Sequence, residues 1–317
     1  MGKRIIITAA AAWLLAVVSA FGVWVYEGQW GSPGSGDGQF SNPASAAVAP
    51  NGHVYVVDFG NDRVQYFTPT GSFLGKWGTW GEGNGEFEMP GGVAVTPAGD
   101  KVYVADLFND RIQYFTPTGS FLGKWGSHGT GDGEFYWPEG VEVAPNGNVY
   151  VTELVNHRVQ YFTPTGSYLG QWGSYWPRAP GIATNGNVYL SESRNYRVQY
   201  FTPTGSCLGG WGSRGSGDGQ FNFPRGVAVA PNGNVFVGDQ FNYRVQYFTA
   251  SGSFLGKWGS EGSGEGQFGY IDDLAFGPGG NRLYVVDDTN NRIQYFKWKD
   301  NPAVSPTSLG RVKALFR

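Results

Sequence analysis

The chain has 317 residues, with 22 Lys or Arg against 25 Asp or Glu, so its formal net charge at pH 7 is −3. This acidic balance argues against nucleic acid as a partner, because proteins that bind nucleic acids rely on a basic surface. The single cysteine excludes a disulfide within the chain. The 52 glycines, with 12 Trp, 18 Tyr and 22 Phe, indicate many turns and many β-favouring side chains, so an all-β fold is expected.

The first predicted element is an apolar N-terminal helix within residues 1–25. Lys3 and Arg4 precede an uncharged stretch of 21 residues, from Ile5 to Val25. This segment is either a signal peptide cleaved after Ala20 or an uncleaved anchor long enough to span a bilayer. Both alternatives predict an extracytoplasmic protein, either secreted or attached to the membrane through residues 5–25, because Lys3 and Arg4 hold the N-terminus inside.

One stretch recurs through the rest of the chain. Residues 63–71 read Arg-Val-Gln-Tyr-Phe-Thr-Pro-Thr-Gly, and similar copies follow at spacings of 48, 47, 39, 47 and 48 residues. The copies start at Arg63, Arg111, Arg158, Arg197, Arg244 and Arg292. A repeat of this length indicates a solenoid, a propeller or an array.

Each repeat unit is predicted to contain four short strands. In the first unit these are residues 46–49, 54–57, 63–68 and 72–77, separated by Pro/Asn/Gly turns, as in one blade of a propeller. We therefore predict a six-bladed all-β propeller over residues 26–296, with four antiparallel strands in each blade. The last unit lacks its fourth strand, and residues 26–30 resemble it, so they should pair with residues 292–296 and close the ring. Residues 297–317 are predicted to be a basic C-terminal tail.

The fourth unit departs from this pattern. Between Trp172 and Pro177 it lacks eight residues that the other units use for a glycine-rich loop, and its first strand contains Pro180 and Gly181. A short loop and a weakly paired inner strand are expected there. Cys207 takes the place of a phenylalanine in other units, which predicts a buried thiol in a structural role.

Four motifs together resemble the NHL repeat over residues 26–296. They are Gly-Asp-Gly-Gln-Phe (36–40), Asp-x-x-Asn-x-Arg-Val-Gln-Tyr-Phe (58–67), Pro-Asn-Gly-Asn-Val-Tyr-Val (145–151) and Pro-x-Gly-Val-Ala-Val (224–229). The resemblance implies a six-bladed propeller that acts as a binding platform. Its known members include extracellular sensor domains, parts of tripartite-motif ubiquitin ligases that bind RNA or protein, and a lyase that releases amidated peptides.

Two activities of the family do not carry over to this chain. A RING domain needs about eight Cys or His ligands for zinc, whereas this chain has one cysteine and three histidines. RNA-binding members use a basic face, and this propeller is acidic.

An acid, an asparagine and an arginine recur in all six units, and we call them the acid–Asn–Arg set. Its members are Asp58/Asn61/Arg63, Asp106/Asn109/Arg111, Glu153/Asn156/Arg158, Glu192/Asn195/Arg197, Asp239/Asn242/Arg244 and Asp287/Asn290/Arg292. Because a catalytic site is needed only once, six copies indicate a structural role. The acid and the Asn are expected to satisfy turn N–H groups, and the Arg to pair with an acid of its own or the neighbouring blade.

No cofactor is predicted from the remaining motifs. The glycine-rich loops lack the Gly-Lys-Ser/Thr of a phosphate loop and the spaced acids of a calcium loop. His53 is expected on the opposite rim from His128 and His157, so the three cannot share one metal. A divalent metal in the channel remains the alternative.

Function is expected where the units differ, since sameness between blades is a property of the fold. At the entries to the inner strands, near the channel mouth, the six units carry Ala44, Gly91, Glu139, Arg178, Arg225 and Asp272. With aromatic and charged side chains on nearby loops, the candidate ligand-binding residues are Phe108, Glu139, Glu142, Arg178, Arg194, Tyr196, Arg225, Phe241, Tyr243 and Asp272. The three arginines and three acids are expected to form a ring of mixed charge.

The favoured hypothesis is a non-catalytic extracytoplasmic propeller that binds a protein, peptide or glycan on this variable face. The alternative is a metal-dependent lyase or hydrolase in the central channel, where only Glu139, Glu142 and Asp272 could serve as acidic ligands.

Overall fold

The computed structural model describes residues 22–300, whose regular structure consists of β-strands and short 3-10 turns. The chain divides into two compact units. One spans Val25–Lys297 and contains six four-stranded antiparallel sheets, the blades of a β-propeller. Of the other, only residues 22–24 and 298–300 are described, and there the rings of Trp24 and Trp298 meet edge to face at 5.6 Å. No helix within residues 22–300 has the length and apolarity needed to cross a membrane.

The first three blades each use four consecutive strands. Blade 1 contains β2 (Pro43–Val48), β3 (Val54–Asp58), β4 (Arg63–Phe67) and β5 (Phe73–Trp77). Blade 2 contains β6 (Pro90–Val95), β7 (Val102–Asp106), β8 (Arg111–Phe115) and β9 (Phe121–Trp125). Blade 3 contains β10 (Pro138–Val143), β11 (Val149–Glu153), β12 (Arg158–Phe162) and β13 (Tyr168–Gly173).

The last three blades differ in one short strand and in the closing strand. Blade 4 contains β14 (Gly181–Ile182), β15 (Val188–Glu192), β16 (Arg197–Phe201) and β17 (Cys207–Trp211). Blade 5 contains β18 (Pro224–Val229), β19 (Val235–Asp239), β20 (Arg244–Phe248) and β21 (Phe254–Trp258). Blade 6 contains β22 (Ile271–Phe276), β23 (Arg282–Asp287), β24 (Arg292–Lys299) and β1 (Val23–Trp30).

The predicted ring closure is confirmed, because β1 is hydrogen-bonded to β24 and completes blade 6. Both strands are longer than expected. β1 begins at Val23 rather than at residue 26, and β24 continues to Lys299 rather than ending at residue 296. Of the predicted N-terminal helix only residues 22–25 are described, and Val23–Val25 are strand, as their β-favouring side chains allow. The rest of residues 1–25, like residues 301–317 of the tail, lies outside the described residues.

Aromatic side chains join each blade to the next. The tryptophan that ends an outer strand packs on the phenylalanine of the following blade's third strand, with Trp30 and Phe67 at 5.6 Å and Trp77 and Phe115 at the same centroid distance. A glycine is required beside each ring. At Gly119, φ is +90°, and a Cβ atom would lie 2.6 Å from the Trp77 ring. This explains why the repeated Thr-Pro-Thr turn ends in glycine.

The acid–Asn–Arg set is structural, as predicted. In blade 1, Asp58 pairs in register with Arg63 at the end of the β3–β4 hairpin, and Asp58 Oδ2 accepts a 2.7 Å hydrogen bond from Arg63 Nε. The other guanidinium nitrogens donate to main-chain carbonyls of the glycine-rich loop, at Ser35 (2.7 Å), Gly36 (2.9 Å) and Gln39 (3.0 Å). One buried arginine therefore binds three carbonyls of a loop that has few apolar side chains.

Two details of this set were not foreseen. The predicted role of the asparagine was wrong: Asn61 does not accept from turn N–H groups but donates its amide hydrogens to Gly34 O and Asp58 Oδ2. The glutamine of the repeated Arg-Val-Gln is part of the same network. Gln65 donates to Gln39 O at 2.7 Å and accepts from Gly38 N at 2.9 Å.

Blade 4 is irregular, as its sequence predicted. Its inner strand β14 has two residues, whereas the inner strands of the other blades have six, because Pro180 has no N–H to donate. The prediction that Cys207 is buried was wrong. Its thiol is exposed, since the short side chain on this outer strand does not reach as far as the half-buried Phe73, Phe121 and Phe254 of other blades.

Trp30 provides a test of ring closure. It is buried and contacts Phe67, Tyr284 and Tyr295, so Trp30→Ala should lower the free energy of unfolding by about 3–5 kcal/mol in denaturant titration. Trp80, which is 71% exposed, is the matched control, and Trp80→Ala should change it by no more than about 0.5 kcal/mol. Equal effects of the two substitutions would contradict closure through β1.

The role of the repeated arginine can be tested by comparing two blades. Arg63→Ala leaves Asp58 buried without its cation and releases three loop carbonyls, so it should destabilise the protein by about 3–5 kcal/mol. Arg197→Ala in blade 4 removes a half-exposed side chain that makes one ion pair, and less than half of that loss is expected in the same denaturant titration. The interpretation fails if Arg197 is the more important of the two.

Candidate functional site

The six variable residues at the entries to the inner strands meet at one cavity. Its volume is about 380 Å³, and all six line it, one from each blade. They are Ala44, Gly91, Glu139, Arg178, Arg225 and Asp272. We call this space the channel-mouth cavity. A ring fold brings equivalent positions together in this way, although they are far apart in the chain.

The charged side of the cavity is formed by blades 3 to 6. Arg178 Nη1 donates to Glu139 Oε1 between blades 3 and 4, and Arg225 Nη1 donates to Asp272 Oδ2 at 2.5 Å between blades 5 and 6. The predicted mixed charge therefore consists of two ion pairs between neighbouring blades. Burial raises the pKa of Asp272 to about 7, although Arg225 opposes this shift.

Two polar atoms in these ion pairs have no partner. Glu139 Oε2 and Arg225 Nε are buried, and neither makes a hydrogen bond within the described part of the chain. An unsatisfied buried polar atom costs about 1–3 kcal/mol, so a ligand that supplied one donor and one acceptor would recover this energy.

The other side of the cavity is apolar and belongs to blades 1 to 3. Phe59, Leu107, Phe108, Trp137 and Leu154 line it. The Phe108 ring, which is partly exposed, meets Trp137 edge to face at 5.4 Å. The cavity can thus accept a group with one apolar and one polar side.

An aromatic rim borders the charged side. It consists of Trp176, Phe223, Phe241, Tyr243 and Tyr270. The Phe241 ring lies 5.4 Å from Phe223 and 5.1 Å from Tyr270, and Tyr243 stacks on Tyr270 at 6.2 Å. The guanidinium of Arg194 lies 3.6 Å from the centre of the Trp176 ring, and Arg214 lies 5.3 Å from that of Tyr196.

Trp176, Phe223 and Tyr243 of this aromatic rim have left-handed backbone conformations, as do Met89 and Trp137 outside it. The residue before each repeated arginine has a left-handed conformation, and in blades 1, 2 and 6 it is Asp62, Asp110 or Asn291, whose side chain accepts the N–H of a residue in the next blade at 2.8–2.9 Å. In blades 4 and 5 it is Tyr196 or Tyr243, with φ of 55° and 54°, and neither makes this bond. A left-handed conformation costs such residues roughly 1–2 kcal/mol.

The structure thus separates the ten candidate residues into three groups. Five line the channel-mouth cavity: Phe108, Glu139, Arg178, Arg225 and Asp272. Four lie on or beside the aromatic rim: Arg194, Tyr196, Phe241 and Tyr243. Glu142 lies apart, deeper in the channel. Sequence reasoning missed Trp137, Trp176, Phe223 and Tyr270, although comparing the residue before each inner strand would have revealed them.

Glu142 faces a second cavity, of about 180 Å³, between the inner strands. Burial and the nearby Asp273 carboxyl raise the pKa of Glu142 to about 8, although a 3.0 Å hydrogen bond from the Val143 amide lowers it in part. Burial also raises the pKa of Asp273 to about 6, although Ser45 Oγ donates to its Oδ2 at 2.7 Å. Glu142 is therefore largely uncharged at neutral pH and is not part of the ring of charges.

The three histidines lie beside aromatic side chains, and one of them also lies beside a carboxylate. His128 Nδ1 lies 2.8 Å from Asp110 Oδ2, and its ring meets Tyr136. His157 contacts Tyr175 and Trp176, and His53 lies near Tyr66. Within residues 22–300, no group of three or more His, Cys, Asp or Glu side chains could hold a metal ion.

The raised pKa of Glu142 gives a prediction for pH. Because the folded protein holds this proton more tightly than the unfolded chain, the stabilisation is complete below the unfolded pKa, about 4.3, and is lost as pH rises through about 8. Glu142→Gln should therefore flatten the fall in melting temperature between pH 5 and pH 8, in thermal melts at constant ionic strength. Glu82→Gln, at an exposed position, should leave the profile unchanged. A Glu142→Gln profile that still matches the parent protein would contradict burial of this carboxyl.

Comparison with known proteins identifies the repeat. The sequence pattern of the NHL repeat matches residues 40–67, 135–162 and 221–248. Each match runs from the buried loop phenylalanine to the end of the third strand, in blades 1, 3 and 5. No curated protein sequence matches the chain significantly.

Solved structures share the architecture at low sequence identity. Hydrazine synthase from Kuenenia stuttgartiensis is 12% identical with a TM-score of 0.60, over 84% of this chain and 99% of that one. A protein of unknown function from Bacteroides thetaiotaomicron is 17% identical with a TM-score of 0.69, over 88% and 76%. Virginiamycin B lyase from Staphylococcus aureus is 12% identical with a TM-score of 0.57, over 81% and 95%.

At these identities the likeness concerns the fold alone. The family pattern, by contrast, matches segments that carry three of the six acid–Asn–Arg sets. The chain therefore contains NHL repeats in three of its blades, and its six repeat units form a six-bladed β-propeller.

Proposed function

We propose that this protein is a non-catalytic binding propeller whose ligand occupies the channel-mouth cavity and extends over the aromatic rim. One observation carries the proposal: six equivalent positions that differ between the blades line a cavity that is charged on one side and apolar on the other. The strained aromatic residues of blades 4 and 5 support it, because their conformation lowers stability and a recognition surface gives them a use.

The cavity favours a ligand group with an apolar body and a polar end. The body would rest against Phe108 and Trp137, and the polar end would offer a donor to Glu139 Oε2 and an acceptor to Arg225 Nε. An amino acid side chain of a protein or peptide has this character, and so does a sugar of a glycan. Each of the two ion pairs is neutral in itself, so neither pair calls for a charged ligand.

An extracytoplasmic location is part of the proposal. It rests on the uncharged stretch from Ile5 to Val25 behind Lys3 and Arg4. Secretion and attachment to the membrane through residues 5–25 can be distinguished by N-terminal sequencing of the protein from the producing cell, because cleavage after Ala20 would leave Phe21 as the first residue.

A metal-dependent lyase or hydrolase in the channel is the second candidate. Its best support is the pair of carboxyl groups, Glu142 and Asp273, inside the channel. Against it, Glu139 and Asp272 are already bound to arginines. Elemental analysis of protein purified without chelators distinguishes the two, since a stoichiometric divalent ion would favour the enzyme and the binding platform requires none.

The binding proposal can be tested with peptide and glycan arrays probed with the full chain. For a ligand found in this way, Phe108→Ala and Arg225→Gln should each weaken binding about tenfold or more, because they alter opposite sides of the cavity. Trp80→Ala, an exposed aromatic residue that does not line the cavity, is the control and should bind normally. A ligand whose affinity ignores both cavity substitutions would place the binding site elsewhere.

A further inference from the structure

Blade 4 lacks a loop that every other blade contains, and the side chains that would hold this loop are present. In the other five blades the repeated arginine is buried, with 6–10% of its side chain exposed. Arg197 is 42% exposed. Its Nε donates to Glu192 Oε2 at 2.6 Å, and in the described structure Nη1 and Nη2 donate to nothing.

Two polar side chains near Arg197 also lack the loop atoms that their counterparts in other blades bind. Gln199 is partly exposed, whereas Gln65 and its other counterparts are fully buried against loop atoms. Within residues 22–300, Asn195 donates only to Glu192 Oε2, whereas Asn61 also donates to a loop carbonyl. We call Asn195, Arg197 and Gln199 the blade 4 socket.

Blade 4 also lacks the phenylalanine that ends this loop in the other blades. In the other blades the loop ends in a fully buried phenylalanine, which packs beside a glycine, as Phe40 does at Gly31. In blade 4 the corresponding residue is Ser174. Among the described residues, a Cβ atom on Gly173, the counterpart of Gly31, would meet only His157 O, at 3.9 Å. The socket therefore adjoins free space where a phenyl ring sits in the other blades.

We infer that the blade 4 socket binds a glycine-rich segment of a partner protein, which takes the place of the missing loop. The occupant follows from the other blades. There, the same three side chains bind the main chain of a compact turn through carbonyl oxygens and one amide, as at Gly34, Ser35, Gly36, Gly38 and Gln39. This site is separate from the channel-mouth cavity, since none of its three residues lines that cavity.

The loops of the other blades also define the sequence that would bind. Gly34 has a φ of +144° and Gly38 a φ of +75°, and the same two positions have left-handed φ values in the other loops. A Cβ atom on Gly34 would lie 2.4 Å from Gln39 Oε1. The partner segment should therefore carry glycines four residues apart, followed two residues later by a phenylalanine.

The test uses a fluorescent peptide with the sequence of residues 32–40, Ser-Pro-Gly-Ser-Gly-Asp-Gly-Gln-Phe, capped at both ends so that it has no terminal charges. Fluorescence anisotropy with the full chain should show saturable binding. Arg197→Ala and Gln199→Ala should each raise the Kd about tenfold, because each removes hydrogen bonds to the peptide main chain. Gln199→Ala removes no ion pair, so it remains informative if Arg197→Ala is unstable.

Two controls distinguish occupation of the socket from nonspecific attachment of the peptide. A peptide with L-alanine in place of its first glycine should bind at least about tenfold more weakly. A chain in which residues 32–39 are inserted between Gly173 and Ser174, together with Ser174→Phe, fills the socket and should not bind the peptide. The inference is overturned if the peptide does not bind the parent chain at millimolar concentration, or if it binds the filled chain equally. It is also overturned if inorganic phosphate at the same ionic strength displaces the peptide completely, which would indicate a simple anion site at Arg197.

Discussion

This propeller depends on one interaction: a buried arginine donates hydrogen bonds to three main-chain carbonyls of a glycine-rich loop. Apart from the buried phenylalanine that ends each one, the glycine-rich loops contain few apolar side chains, so burial alone does not order them. Arg63 adds hydrogen bonds from a rigid, planar guanidinium, whose charge is balanced by Asp58. Because each loop leads directly into an inner strand, fixing the loop also fixes where that strand enters the channel.

The same arrangement explains where variation is tolerated. The strands are constrained by packing between blades, through pairs such as Trp77 and Phe115, and the loops are constrained by arginine. Two sets of positions are free of both constraints: the entries to the inner strands and the residues before the repeated arginines. Their side chains take no part in the packing of tryptophan on phenylalanine between blades or in the hydrogen bonds from the arginines to the loops. Differences between blades are therefore concentrated at the channel mouth, where Glu139, Arg178, Arg225 and Asp272 form ion pairs across the blade boundaries.

The repeat made the fold and the gathering of six variable residues predictable, since a fixed period places equivalent positions on one rim. It could not predict contacts that depend on side-chain conformation. That Arg178 turns to Glu139 rather than to solvent follows from burial and not from spacing. Glu142, only three residues from Glu139, lies deep in the channel because an inner strand runs along the channel axis. For Cys207, the phenylalanine of other blades suggested burial, but the shorter side chain stays exposed.

The central claim is that the repeated arginine stabilises five blades by binding their glycine-rich loops, whereas blade 4 lacks this loop and is less stable. Hydrogen–deuterium exchange measured blade by blade tests it most directly, because exchange reports the local free energy of opening. The account predicts slow exchange at the amides of Gly38, Gly85, Gly133, Gly219 and Gly266, which are bound by the repeated glutamine. It also predicts faster exchange in β14 and β17 than in the matching strands of the other blades. Uniform protection of all six blades, or rapid exchange at the five glycine amides, would contradict it.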